Sequence, residues 1–453
     1  MGTGRELAQL DGTPPGTDLT ALLWSSFDLC TLPIMICSSI AICLSKVVTV
    51  TNVTPMERRD FLKTLFATTG GIIIGPSILA ACGGTTTSSS TGLIIGTPDA
   101  PVTLPLAGEP IADGLANEGG TIEILNWADY TNPEVIADFE KAFGVTVKQS
   151  IYDNEDAAIA KLRNGTLKPD LIIGMTDTAL ARLIAADLIQ PLNHSYIPNK
   201  ANLLTGLQNP YYDLGAQYTM AQFIYGNGIG YRKDRIDPSE IASQGYDAMW
   251  NSAYNGKLAV MDSYRDTISL AFFQAGVTDV NSGDAEILAA AQENLVRLRT
   301  ATSPKVDILS YQELPAGNRD IAHMWSGDIL IAPFYLPEGT SADVLGFWYP
   351  DQTITANDFL CIPKASAKPV AAHQMINYLL DNDVAVKNQS YVGYQPALTS
   401  VTAESLINSG AIPETLVDAV IDDAKYQAGE RLVSLTPETD ALWNDVWATF
   451  TAG

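Results

Sequence analysis

An α/β fold in two lobes is expected from three observations on the chain. From Thr121 to Ile173 the pattern runs strand, helix, strand, helix, strand, which marks a parallel sheet wrapped by helices. A second alternation of the same kind starts after Gly226. The 453 residues leave room, beyond the stretch before Cys82, for two medium domains around separate cores. Two lobes of one class imply a cleft between them.

The folded part has a preamble. In "MERRDFLKTLFATTGGIIIGPSILAACGG" a charged cluster is followed by an uncharged apolar run and small residues, the order of a secretory signal over residues 56–81. Arg58-Arg59 resembles a twin-arginine export motif, and Leu79-Ala80-Ala81-Cys82 resembles a bacterial lipobox. Cys82 is therefore the expected lipidation site, tethering the protein in the periplasm or on the outer face of the cytoplasmic membrane. Residues 1–55 have no role in this scheme and are expected to be a misassigned extension, with translation starting at Met56. Residues 82–118, polar at first and then punctuated by Pro98, Pro101, Pro105 and Pro110, are expected to form a flexible linker.

Composition narrows the function. After Cys82 the only cysteine is Cys361, so no disulfide framework holds the mature chain. That part carries 21 Lys and Arg against 45 Asp and Glu, a surface that repels nucleic acid and concentrates cations.

The elements follow in order. Thr121 to Leu125 alternates as a strand, and Asn132-Pro133 opens a helix with Ile136, Phe139 and Phe143 on one face, ended by Gly144. Val145 to Val147 is a second strand, Asp156 to Arg163 a helix, and Asp170 to Ile173 a buried strand. Beyond Gly226 come a strand at Lys257 to Met261 and a helix from Asp284 to Arg299 with Ile287, Ala291, Leu295 and Leu298 inward. Strands at Ile321 to Trp325 and Asp358 to Ile362, then a helix at Pro369 to Leu380, complete the pattern.

Six segments then carry a resemblance: "TIEILNWADYTNPEVIADFEKAFGVTVKQSIYDNEDAAIAKLRNGTLKPDLIIG", "FIYGNGIGY", "YNGKLAVMDSYRD", "HMWSGD", "NDFLCIPKASAKPVAAHQMINYLL" and "VGYQPA". In this order and spacing the chain resembles the spermidine/putrescine-binding proteins of bacterial ABC transporters, over nearly all of 121–453. The resemblance implies a two-lobed periplasmic-binding-protein-like fold (type II). Lobe one would take 119–224 with 356–402, and lobe two 225–355 with 403–453. The chain would cross between lobes twice, near Phe223 to Gly230 and near Asp351 to Asn357. It further implies ligand capture by hinge closure and delivery to a membrane permease, by a monomer without cofactor, metal or nucleic-acid partner.

A polyamine presents ammonium ends and an apolar middle, so its pocket needs carboxylates at the ends and aromatic faces between them. By the resemblance, Trp127 and Tyr130 lie just past the first strand, where open α/β sheets place ligands. Asp266 and Asp358 match amine-binding acids, and Trp325 and Tyr394 match further contact positions. Each has a structural alternative: packing for the aromatics, helix capping for Asp266, a solvated strand end for Asp358. The chain also departs from the family pattern. Ser263 replaces an acid, Ala356 and Tyr225 replace tryptophans, Asp177 falls where a tyrosine is common, and the distal glutamine has no counterpart near Glu430 to Leu432. A ligand with fewer or differently placed cationic groups is the consequence, with Asp177 restoring the balance if it faces the cleft.

Other classes have less to stand on. His194, His323 and His373 have no metal-pair spacing, and neither a G-x-S-x-G elbow nor a complete P-loop is present, so an enzyme is not expected. The glycines of "GNGIG" are not followed by the helix start that a nucleotide fold requires. An amino acid, a quaternary amine, ferric ion bound through Tyr391 and Tyr394, and a sensing role for a tethered binder stay open as alternatives.

Overall fold

The computed structural model describes residues 96–452, all within one compact unit, Thr87–Gly453. The expected signal segment, Cys82 and residues 1–55 lie outside the described residues. Among the described residues, no helix is long and apolar enough to cross a membrane.

Ten strands follow in chain order: β1 (Gly120–Asn126), β2 (Val145–Ile151), β3 (Leu171–Thr176), β4 (Met220–Arg232), β5 (Leu258–Val260), β6 (Lys305–Val306), β7 (Ile321–Trp325), β8 (Leu345–Trp348), β9 (Thr355–Cys361) and β10 (Gln395–Pro396). They join in the order β2-β1-β3-β9-β4-β7-β5-β6, with β8 and β10 also on β4. The two-lobed fold is built on β4. Its first half, to Gly226, pairs antiparallel with β9, and from Asn227 onward it pairs with β7 and β8. β1, β2 and β3 are parallel in the first lobe, and β5, β6 and β7 in the second. β9 starts at Thr355 opposite Gly226, so the two expected crossings lie side by side at the handover.

Local signals act as their chemistry dictates. Asn132 accepts a hydrogen bond from the amide of Glu134 and Pro133 sits in the first turn of the helix Pro133–Phe143, which Gly144 ends in the left-handed region. Asp284 caps the helix Ala285–Thr302, whose Leu288, Ala291, Leu295 and Leu298 are buried. Ile287, also expected inward, packs partly buried against the same core. After residue 402 the chain serves both lobes: Ile421 is bonded to Gln395 of the first, whereas Trp443 is buried in the core of the second.

Residues 96–118, expected as tether, are instead an ordered strap along the first lobe. Leu104 is buried, the Tyr218 hydroxyl donates to the Pro105 carbonyl and accepts from the Ala107 amide, and Tyr196 donates to the Ala112 carbonyl. Glu118 closes the strap by accepting from the Val370 and Ala371 amides at the start of the helix Pro369–Leu379. Pro98 sits in a tight turn closed by backbone hydrogen bonds between Thr97 and Ala100. Tyrosines of the lobe meet its backbone, so a periodic apolar face is not required.

Asp170 ties this lobe together. One oxygen accepts from Ser366 Oγ and the amides of Ala367 and Lys368, and the other from the Glu123 amide. Replacing it with alanine strands these donors at a buried site, and urea denaturation should show a loss of about 3 kcal/mol. A loss under about 1 kcal/mol would mean that water meets the freed amides.

Candidate functional site

The expected residues sit where strands end. Trp127 and Tyr130 follow β1, Asp177 follows β3, Ser263 and Asp266 follow β5 and Trp325 ends β7, while Tyr225 and Asp358 lie within β4 and β9, in register with Ala356 and Phe223. Antiparallel insertion of β9 between β3 and β4 sets Asp358 opposite both Thr176 and Phe223. Residues 228 positions apart in the chain thereby meet: the Tyr130 hydroxyl donates to Asp358 Oδ2. Tyr225 donates to Oδ1 of the same carboxylate at 3.3 Å.

Around this acid the rings form a box. Tyr394 lies 5.7 Å from Tyr130 and 5.6 Å from Tyr225, edge to face in both cases, and Trp325 lies 6.5 Å from Tyr225. Phe223 backs the box at 5.0 Å from Tyr130. Tyr394 donates to Asp328 Oδ1 at 3.1 Å, an acid one helical turn past Trp325. Gly327 makes that approach possible, because a Cβ there would lie 2.6 Å from the Tyr394 ring. Trp127 stands beside the box, stacked obliquely on Tyr152 at 4.5 Å, with its indole N–H given to the Gly174 carbonyl at 2.8 Å.

The second carboxylate is Asp266, in the first turn of the helix Tyr264–Gln274 and buried. It does not cap that helix. It accepts instead from Asn227 Nδ2 at 2.7 Å and from the Ser263 hydroxyl, which is turned to the acid rather than to the helix end. Asp358 is likewise a buried strand residue, not a solvated strand end.

Asp177 is not part of the box. Its carboxylate accepts from Tyr211 at 2.6 Å and lies in the field of Arg431, while burial raises its pKa above the ordinary range. Burial also pushes Asp358 up to about 7, helped by the charges of Glu155 and Asp177 and opposed by the hydrogen bonds from Tyr130 and Tyr225. The Tyr130, Tyr225 and Tyr394 hydroxyls are held well above their usual range, first by burial and next by Asp358 or Asp328. Glu155, Asp328 and Asn227 were not among the expected residues. An Asp three residues after a strand-end tryptophan, in "HMWSGD", was the one available signal, for Asp328.

The ferric-ion alternative requires Tyr391 and Tyr394 to converge. Tyr391 donates to Asp129 while Tyr394 donates to Asp328, so these phenols are not gathered on one point. Among the described residues, no group of three His, Cys, Asp or Glu is placed to hold a metal ion. A cavity of 490 Å³ also opens beside the second crossing, lined by Tyr349, Thr353 and Lys425 among others, and none of the expected residues lines it. It lies behind β4, since a Cβ on Gly226 would point at Tyr349, away from the Tyr225 ring.

Comparison with known proteins agrees with this architecture. The spermidine/putrescine-binding periplasmic protein of Escherichia coli is 26% identical over 282 residues, 62% of this chain and 78% of that one. The putrescine-binding periplasmic protein PotF of the same organism is 26% identical over 355 residues, 75% of this chain and 93% of that one. The crystal structure of the spermidine/putrescine ABC transporter substrate-binding protein PotD of Streptococcus pneumoniae superposes with a TM-score of 0.64 at 21% identity, over 74% of this chain and 99% of that one. The family model described as bacterial extracellular solute-binding protein matches residues 134–414, well over half of the chain. With its two lobes joined through β4 and β9, this chain belongs to the bacterial extracellular solute-binding proteins.

Proposed function

We propose that the protein captures a polyamine, such as putrescine or spermidine, or a related cationic amine between its lobes and delivers it to the permease of an ABC importer outside the cytoplasm. One observation carries the choice of ligand. Tyr130, Tyr225 and Tyr394 each give their single hydroxyl proton to a carboxylate, so the lone pairs are what these phenols have left to offer. A wall of acceptors with Asp358, Asp266 and Asp328 behind it suits a guest that only donates, which is what an ammonium does. The ring faces suit the methylene chain between ammonium groups.

The relatives named for spermidine and putrescine support the same choice. Trp127, Tyr130, Tyr225, Asp266, Trp325, Asp358 and Tyr394 are the proposed ligand-binding residues, with Ser263 orienting Asp266 and Asp177 acting only through its charge on Asp358. Acylation of Cys82 would hold the protein at the membrane beside its permease.

A thermal-shift series on the purified protein tests the ligand. Putrescine or spermidine at a hundred times its dissociation constant should add about 2.7 kcal/mol to stability. Sugars and anions should add nothing, and ferric ion should give no visible phenolate band. A shift from anions or sugars alone would exclude Asp266 and Asp358 as ligand contacts.

A further inference from the structure

Asn227 stands out among the polar groups of the cleft. On β4 the side chains alternate, so Phe223, Tyr225 and Asn227 share one face. The first two of these form the ring box, and Asn227 is the next residue along that face, at the handover between lobes and in register with Trp325. It is 2% exposed, and its amide nitrogen donates to Asp266 Oδ1 at 2.7 Å. Its amide oxygen is buried and has no hydrogen-bond partner.

The orientation of this amide has a cause. Turned over, it would set its oxygen against the Asp266 carboxylate, two acceptors facing each other, so the acid dictates that the nitrogen faces it. The oxygen is thereby left as a buried acceptor beside an anionic group. An unmet buried acceptor is unfavourable, whereas a small apolar residue here would carry no such penalty. Ser263, the other neighbour of Asp266, cannot serve this oxygen because its hydroxyl proton goes to the acid. A group that brings donors and positive charge would satisfy Asn227 and Asp266 together.

Resting on the amine reading above, we propose that Asn227 is a ligand-binding residue whose amide oxygen accepts an N–H from the ammonium group held by Asp266. The site thus replaces the acid absent at Ser263 with a neutral acceptor on β4. A neutral acceptor adds direction without adding a charge, so this end of the cleft selects an ammonium that still has N–H groups. A quaternary ammonium has the charge but nothing to donate.

The test is calorimetric titration of parent, N227A, D266A and the double variant with putrescine, spermidine and the bis-trimethylammonium analogue of putrescine. N227A should weaken putrescine binding about tenfold or more, the scale of a hydrogen bond to a charged group. It should weaken the quaternary analogue far less. In the D266A background the same change should again weaken putrescine binding, because the contact is to the ligand itself. Unliganded thermal midpoints of all four proteins separate binding effects from loss of fold. Equal putrescine affinity in parent and N227A overturns the proposal. So does an N227A effect that vanishes in D266A, which would make Asn227 a support for the acid alone. A parent protein that binds none of the three amines overturns the amine reading and this proposal with it.

Discussion

Amine affinity is expected to rise about tenfold per pH unit up to about pH 7 and to level off above it. The cause is Asp358, whose carboxyl is raised to about 7 by burial and must give up its proton before a cation can pair with it. The groups that face it are Tyr130 and Tyr225, which hydrogen-bond it, and Glu155 and Asp177, whose charges oppose its ionisation. The unliganded fold shows the opposite sign. Unfolded, the side chain titrates near about 3.9, so the folded protein holds the extra proton between the two values. The stability from this group is complete below about pH 4 and is lost as pH rises through about 7.

Asp358→Asn separates the two effects. It should abolish the pH slope, cost at least a hundredfold in amine affinity, and raise the unliganded thermal midpoint most at pH 8, less at pH 5 and little at pH 4. Binding in unequally ionising buffers should show proton release near pH 6 by the parent and none by the variant. A parent affinity that is flat from pH 5 to 8 would mean that Asp358 does not meet the ligand.

Gly174→Ala is expected to damage stability and binding together. Gly174 has φ near +83° at the irregular step of β3, where a side chain is strained whatever the space. A Cβ there would also lie 2.6 Å from Trp127 and 3.1 Å from Tyr130. The backbone term alone costs about 1–3 kcal/mol, and the displaced rings cost more. Since the Gly174 carbonyl also receives the Trp127 indole proton, affinity should fall well beyond what global destabilisation explains. Urea denaturation and calorimetry on the same variant check both. A variant with parent stability and affinity would show that β3 can shift to admit the methyl group.

The strap illustrates where reading from composition stops short. Pro98 to Pro110 looks like a spacer because apolar residues are few and aperiodic. What holds it lies elsewhere in the chain: Tyr196, Tyr218 and Asn193 supply hydrogen bonds to its backbone from about a hundred positions away. Asp177 is the counterpart in the cleft. By the resemblance it stands where a tyrosine is common and would restore the charge balance if it faced the cleft, yet its carboxylate accepts from Tyr211 and lies in the field of Arg431, neither of which is near it in sequence.

By itself the sequence determined the elements and their class. Asn132, Pro133, Gly144 and Asp284 act on their immediate neighbours, and the apolar periods act within one helix or strand, so short-range chemistry is enough. It also determined which strand ends carry rings and acids. Tertiary structure alone decided how those groups pair: that Asp358 takes both tyrosines, that Asp328 takes Tyr394, and that Asn227 turns its oxygen away from Asp266. These pairings depend on β9 entering antiparallel between β3 and β4 and on β4 running through both lobes. A hydrogen bond has a reach of about 3 Å, and only the register of distant strands brings such partners within it.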